Sequence, residues 1–222
     1  RQFTGNAAHE LRTPLALMQA QLELFSAEHT DVLPETAEFL LLLREQTERL
    51  TQMTKTLLEM SNLQQVARNE RIQLAPMVEE IFTDLAPLAE KHGITLERDG
   101  DGLMTGSDAL IYRLLFNLTE NAIKYNDNET GGYVHVSLNA DHQYFYLKVE
   151  DNGIGIPEES LEHIYERFYR VDKSHSREIG GTGLGLAITR SSILMHRGAI
   201  KAHSVMGEGT TFDVRIPLNY IV

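Results

Sequence analysis

The sequence predicts a helical hairpin followed by an α/β sandwich with a mixed sheet, and three observations predict it. Apolar residues recur at alternating spacings of three and four up to about residue 66. Gly5 is the one glycine in that stretch. Beyond it, alternating strand patterns interleave with helical ones and glycines become frequent. The 222 residues are 42% hydrophobic and 23% charged, the composition of a globular protein with a real core. With 20 Lys+Arg against 32 Asp+Glu the net charge is −12. That charge repels nucleic acid and anionic lipid unless a basic patch overrides it, and the sequence has none, so neither nucleic acid nor direct membrane contact is expected. No segment reaches the roughly 18 apolar residues of a membrane span. Cysteine is absent, which excludes disulfides and thiolate metal sites and fits a reducing compartment. The chain starts at Arg1 and not at Met, so a piece of a longer protein is expected.

In the first unit, Ala8, Leu11, Leu15, Met18, Leu22 and Phe25 form the seam of a helix from about residue 3 to 28. "AEHTDVLPET" interrupts it. Phe39, Leu43, Gln46, Leu50, Met53, Leu57 and Met60 then resume the pattern up to about residue 66. Two helices cannot enclose a core, because a wide stripe including Leu17, Leu24, Leu40, Leu41 and Leu42 stays uncovered. A homodimeric four-helix bundle is the economical solution. The alternative is a hairpin that packs on the second part of the same chain. "VARNERIQL" reads as a linker entering a strand, which divides the chain into residues 1–66, a linker at 67–72 and a second domain at 73–222.

In the second domain, Pro76 starts a helical pattern that stops at Gly93, and "ITLERDGD" and "LMTG" follow as strands. Ser107 or Asp108 caps a helix through about Lys124. "YVHVSL" and "YFYLKVE" alternate around "DHQ" as a hairpin. Residues 151–183 are glycine-studded and charged, as a loop would be. A helix then runs to about His196, before the strands "AIKAHSV" and "TTFDVRIPL".

Three clusters carry chemistry. In "NLTENAIKY", Asn117 and Asn121 lie four apart on a helix, so their amide oxygens project from one face and suit a hard cation such as magnesium, which takes few protein ligands when phosphate completes its shell. Lys124 adds a positive charge one turn on. Two solvent-facing amides satisfy the same spacing. In "DNGIGIP", Asp151 ends a strand and can accept a hydrogen bond from an exocyclic amine such as that of adenine, beside glycines that allow close backbone approach. In "GGTGLGLAI", Gly181, Gly183 and Gly185 precede a helix whose N-terminal N–H groups can surround phosphates. Each cluster alone is weak evidence.

Together, in this order, the motifs resemble those of the sensor histidine kinases of two-component systems. "HELRTPL" is similar to the H-box of a dimerisation and histidine-phosphotransfer domain, "NLTENAIKY" to the N-box, "DNGIGIP" to the G1 box, "ERFYRVD" to the F-box and "GGTGLGLAI" to the G2 box. "GEGTTF" matches the closing strand signature. The resemblance covers essentially the whole chain and implies an α/β sandwich of the histidine kinase/Hsp90-like ATPase type in residues 73–222, with ATP and Mg2+ as cofactors. His9 would be the phosphoaccepting nucleophile, Glu10 its orienting or proton-accepting carboxylate, and Thr13 a water-positioning hydroxyl about 5.4 Å along the helix. Thr13 equally reads as a hydroxyl bonded to its own helix. Asn117 and Asn121 would hold magnesium, and Lys124 and Tyr125 would lie against the nucleotide. Asp151 would bind the adenine amine, with Gly153 and Gly155 giving the base room. Arg177 would reach phosphate from a lid anchored by Phe168. Gly181, Thr182, Gly183, Leu184 and Gly185 would line the triphosphate. The implied partners are a second copy through the hairpin and the receiver domain of a response regulator, on the cytoplasmic side of a membrane-anchored bacterial sensor.

His9 also makes sense as a nucleophile on its own terms. An imidazole with an ordinary pKa of about 6.5 is largely unprotonated near neutrality, and the small Ala7 and Ala8 leave its flank low. Pro14 removes one helical N–H bond and marks a hinge just beyond it. Two rival readings stay open: an ATPase clamp of the same superfamily without phosphotransfer, and a nucleotide-binding module that has lost catalysis. The remaining histidines show no metal-ligand spacing. Arg197, in "HRG", stands where the family usually has a small residue.

Overall fold

The computed structural model describes residues 2–29, 32–62, 66–126, 131–171 and 182–218, with the side chains of residues 2–10, 56, 57 and 59–62 outside the described set. The chain divides into two compact units, Arg1–Gln65 and Val66–Val222.

The first unit is a pair of helices in contact, α1 (Gln2–Glu28) and α2 (Pro34–Asn62). Helix α1 runs unbroken through Pro14. The seam within one chain matches the expected one only in part: Leu15 is buried and Leu22 and Met53 are half-buried. Among the described residues Leu15, Thr47, Thr54 and Leu58 are buried, while Leu11, Met18, Phe25, Phe39, Leu43 and Leu50 are exposed. The physical reason lies in the threonines. Thr47 Oγ1 donates to the Leu43 carbonyl at 2.7 Å and Thr54 Oγ1 to the Thr51 carbonyl at 2.8 Å. Their hydroxyls are thus satisfied inside the helix and their methyl groups can face the partner helix. Both helices are apolar over a wide arc, and the larger side chains therefore stay on the outside of a single chain.

The second unit is a sheet covered on one face by helices. Its elements are β1 (Glu70–Gln73), α3 (Leu74–His92), β2 (Ile94–Gly100), β3 (Leu103–Gly106), α4 (Asp108–Lys124), β4 (Gly132–Ala140), β5 (Tyr144–Asp151), α5 (Gly185–Met195), β6 (Ala199–Val205) and β7 (Gly209–Pro217). Five strands follow the order β2-β4-β5-β7-β6, with β2 parallel to β4 and the remaining pairs antiparallel, and β1 pairs with β3 in a separate two-stranded ribbon. Val134, Val136, Leu138, Phe145, Leu147, Val149, Phe212, Val214 and Ile216 are buried on one face. They pack with Ile81 and Leu85 of α3, Leu114, Leu115 and Leu118 of α4 and Ile193 of α5. The opposite face alternates polar residues such as Glu97, His135, Lys148 and Asp213, as a one-sided sheet requires.

Helix ends differ from expectation in two places. Helix α3 begins at Leu74, two residues before Pro76, because the Leu74 N–H donates to the Gly102 carbonyl and the Ala75 N–H to Asp101 Oδ1. Pro76 then occupies a first-turn position that has no intrahelical N–H bond to lose. At α4 the Ser107 side chain makes no capping bond; the Ser107 N–H donates to His196 Nε2 at 3.0 Å and the Asp108 N–H to Glu70 Oε2 at 2.8 Å. Helix α5 closes in a Schellman turn, with the Arg197 N–H on the Leu194 carbonyl and the Gly198 N–H on the Ile193 carbonyl. Arg197 sits at φ 55°, in the left-handed region where a glycine carries no Cβ penalty.

Candidate functional site

Asp151 ends β5, the middle strand of the sheet, paired with Thr210 of β7 and Val134 of β4. Its Oδ1 accepts the Gly153 N–H at 2.9 Å and the Thr210 N–H at 3.3 Å. Two backbone donors therefore fix the carboxylate plane and leave Oδ2 as an acceptor with no partner among the described residues. Burial, opposed by those two bonds, pushes the carboxyl up to about 6. Such a group is costly to keep charged without a donor opposite it, as a ligand-binding carboxylate would be.

The loop after Asp151 is held against the C-terminal end of α4. The Ile154 N–H donates to the Tyr125 carbonyl at 3.0 Å, and a Cβ on Gly153 would lie 2.3 Å from that same oxygen, so only glycine admits the approach. A Cβ on Gly155 would likewise lie 2.2 Å from the Val205 carbonyl oxygen, and the Ile156 N–H donates to Ser204 Oγ at 2.7 Å. Asn126, the residue after Tyr125, is buried; its Nδ2 donates to the Tyr133 carbonyl and to Asn152 Oδ1, both at 3.1 Å. Asn152 Oδ1 also accepts the Tyr133 N–H at 2.8 Å. These bonds bracket the loop between the end of α4 and the start of β4.

Helix α4 presents Asn117 and Asn121, both half-buried, as the spacing predicted. Asn117 Nδ2 donates to the Gly185 carbonyl at 3.2 Å and lies 3.5 Å from Thr189 Oγ1, which joins α4 to the first turn of α5. Its amide oxygen is left as the atom for another partner. Lys124 pairs with Glu120 at 2.8 Å one turn back. Tyr125 is partly exposed, and burial, opposed by the Arg170 guanidinium, pushes its hydroxyl up. Leu184 is buried and, among the described residues, no N-cap side chain closes the start of α5, so the first N–H groups of that helix point to where an anion can bind. Before it, the Gly183 carbonyl accepts the Phe168 N–H at 2.8 Å. Phe168 itself is exposed, at φ 66°.

The structure thus gathers Asn117, Asn121, Thr182, Gly183, Leu184 and Gly185 where α4 meets the start of α5, and Asp151, Gly153, Gly155 and Tyr125 around the β5 end. Arg177 and Gly181 lie outside the described residues, as do the side chains of His9 and Glu10. Thr13 is exposed on α1. Sequence reasoning missed Thr210 and Ser204. Thr210 contributes through its backbone N–H, which leaves no side-chain signal, and Ser204 is an unremarked residue of a strand. Among the described residues no group of three or more His, Asp or Glu is placed to hold a metal ion, and no helix is long and apolar enough to cross a membrane.

A one-sided α/β sheet with an anchored aspartate at its central strand end, and a helix whose asparagine joins it to the start of another, is the class of fold and site that accommodates a nucleotide, here following a helical hairpin. The family model for histidine kinase-, DNA gyrase B-, and HSP90-like ATPases matches residues 106–220, and that for the His Kinase A (phospho-acceptor) domain matches residues 1–66. The chain belongs to the sensor histidine kinase family. It is 38% identical over 224 residues to the sensor histidine kinase RppB of Synechocystis, covering 98% of this chain and 49% of that protein. It is 35% identical over 227 residues to the sensor histidine kinase WalK of Bacillus subtilis, covering 98% of this chain and 36% of that one. The chain therefore spans about half or less of the length of these curated relatives. Among solved structures, full-length ShkA in complex with AMPPNP superposes with a TM-score of 0.75 at 21% identity, covering all of this chain and 47% of that one, which supports the fold.

Proposed function

We propose that this chain is the catalytic core of a sensor histidine kinase, in which ATP bound by residues 73–222 phosphorylates His9 in the hairpin of residues 1–66, with residues 67–72 as the linker. The phosphohistidine then passes the group to an aspartate on the receiver domain of a response regulator. The single observation that carries the reading is the anchored Asp151, whose Oδ1 is held by two backbone N–H groups and whose Oδ2, without a partner among the described residues, is left as an acceptor suited to a base that offers an amine, as adenine does.

Each described residue then has a task. Asp151 Oδ2 accepts from the adenine amine, Gly153 and Gly155 let backbone approach the base, and Thr182, Gly183, Leu184 and Gly185 offer N–H groups to the phosphates at the start of α5. Lys124 and Tyr125 border the nucleotide, and Arg177 and Gly181, outside the described residues, would add phosphate contacts as the family resemblance implies. The donor set fits magnesium: two neutral amide oxygens are hard ligands, and Asn117 uses its nitrogen on Gly185, which keeps its oxygen for a cation. Held by Asn117 and Asn121, the ion would neutralise phosphate charge. A lone pair of the His9 imidazole attacks the γ-phosphorus, the bond to the bridging oxygen breaks, ADP leaves, and Glu10 takes the ring proton. Catalysis is then mainly positioning. Thr13 would orient a water in the opposing phosphatase reaction, in which water attacks the acyl phosphate of the regulator and releases inorganic phosphate and the free aspartate.

The exposed Leu11, Leu17, Met18, Leu24 and Phe25 of α1 and Phe39, Leu41, Leu42, Leu43 and Leu50 of α2 support a homodimeric four-helix bundle, since apolar patches of that extent mark association surfaces. The core would lie on the cytoplasmic side of a membrane-anchored bacterial sensor. Adding a receiver-domain protein to a chain labelled from γ-labelled ATP is expected to move the label onto the receiver as an acyl phosphate. Free phosphate released by a chain that never carries label would instead indicate an ATPase clamp.

A further inference from the structure

Helices α4 and α5 pack side by side and run in opposite directions, joined at both ends. At the nucleotide end Asn117 Nδ2 donates to the Gly185 carbonyl. At the other end the Ser107 N–H donates to His196 Nε2 at 3.0 Å. From Asp108 to Asn117 is about 14 Å of helix and from Gly185 to His196 about 16 Å, so the two clasps bracket matching lengths. His196 has no exposed surface. Its Nδ1 lies 2.7 Å from the Ser192 carbonyl, so Nδ1 carries the proton and Nε2 is the acceptor. A protonated ring would have no acceptor to offer.

The surroundings are built for this one link. A Cβ on Gly106 would lie 2.9 Å from His196 Nε2, so a glycine is what admits the ring. Burial and the nearby Arg68 guanidinium both hold the imidazole neutral, against the Ser192 carbonyl, which favours the proton. Glu70, Asp108 and Arg197, the residue after the histidine, are further charged groups at this end, with the Glu70 carboxylate accepting the Asp108 N–H. The Ser107 and Ser192 hydroxyls are buried with no hydrogen-bond partner among the described residues. An apolar cluster would be more stable here, and native structures tolerate such groups where another requirement holds them.

We propose that His196 is a positioning residue for the nucleotide site, its clasp on Ser107 fixing α4 against α5 so that Asn117 stays beside Gly185. The inference rests on the nucleotide reading given above. Coupling between the two clasps is reciprocal, so nucleotide bound at one end must tighten the other. Arg68 and Glu70 precede and open β1, which makes this far clasp the point where the segment leading out of the hairpin meets the nucleotide helices.

The test is titration of the full chain with magnesium and a non-hydrolysable ATP analogue. His196→Leu keeps the volume and removes the acceptor, and its nucleotide Kd is expected to rise at least tenfold. His196→Gln places an amide oxygen where Nε2 accepted, and its Kd should stay within about threefold of wild type. In the wild-type chain the His196 ring nitrogen and Ser107 amide resonances should shift on nucleotide addition, while those of the partly exposed His135 and the exposed His203 do not. A folded His196→Leu with wild-type Kd, or a His196→Gln as weak as the leucine variant, overturns the proposal. If the leucine variant does not fold, unmoved His196 and Ser107 resonances at saturation overturn it. A wild-type chain that binds no nucleotide overturns the nucleotide reading itself.

Discussion

Asp151→Asn should weaken ATP binding roughly 100-fold while making the nucleotide-free domain more stable. The two effects have one origin. Oδ1 is committed to the N–H groups of Gly153 and Thr210, so asparagine must put its oxygen there and its NH2 where Oδ2 stood. A donor then meets the amine of adenine, and both are left unpaired. Nucleotides whose base offers a carbonyl at that edge, such as ITP, should lose far less, which inverts the base preference. The stability gain follows from the titration. The folded carboxyl titrates at about 6, above its unfolded value of 3.8, so the folded chain binds the proton more readily. The Asp151 contribution to stability is therefore greatest below about 4 and is lost as pH rises through about 6, by up to about 3 kcal/mol. Asparagine removes that decline, and at pH 7.5 the variant should melt several degrees higher. By the same sign, wild-type nucleotide affinity should increase as pH rises through about 6. Calorimetric titration and thermal melts check both; a variant that melts lower and binds ATP as wild type does would contradict the assignment.

Gly155→Ala should disrupt the same loop by a different route. Gly155 has φ 75°, and an added Cβ would lie 2.2 Å from the Val205 carbonyl oxygen and 2.9 Å from Met206 Cα. Those are backbone atoms of the turn joining β6 to β7, and they cannot swing aside as a side chain would. Gly207 is the control in the same turn: its φ is 79° and nothing lies within 4 Å of its Cβ position. Gly207→Ala thus carries only the left-handed penalty of about 1 kcal/mol. Gly155→Ala adds displacement of the turn, for a total of about 3 kcal/mol, or a melting temperature lower by roughly 6–12 °C. It should also abolish measurable nucleotide binding. Equal melting temperatures for the two variants would show that the loop relaxes freely.

The second domain was legible because its signals are local. Gly93 ends α3 in the left-handed conformation, the hairpin around "DHQ" pairs as its alternation required, and Asp151 falls at a strand end. Asn117 and Asn121 share a helix face because a spacing of four dictates it. The phase of the hairpin was not legible. Helix α2 is apolar over so wide an arc that two seams fit, and the choice of Thr47, Thr54 and Leu58 over Phe39, Leu43 and Leu50 depends on hydroxyls bonding back into the helix. Nor was His196, which sequence reasoning took as one of several unremarkable histidines. A single imidazole carries no spacing signal, and its partner is a backbone N–H 89 residues earlier. Thr210 escaped for the same reason. Contacts made through backbone donors across long sequence separations become visible only when the sheet is assembled.

The central claim is that a nitrogen of His9 carries the phosphoryl group. The most direct measurement incubates the chain with magnesium and γ-labelled ATP, exposes the labelled protein to acid and to alkali, and repeats the labelling with His9→Gln. A phosphoramidate hydrolyses in acid and survives alkali. The expected result is a label lost in acid, retained in alkali and absent from His9→Gln. A label that survives acid, or one undiminished in His9→Gln, would contradict the account.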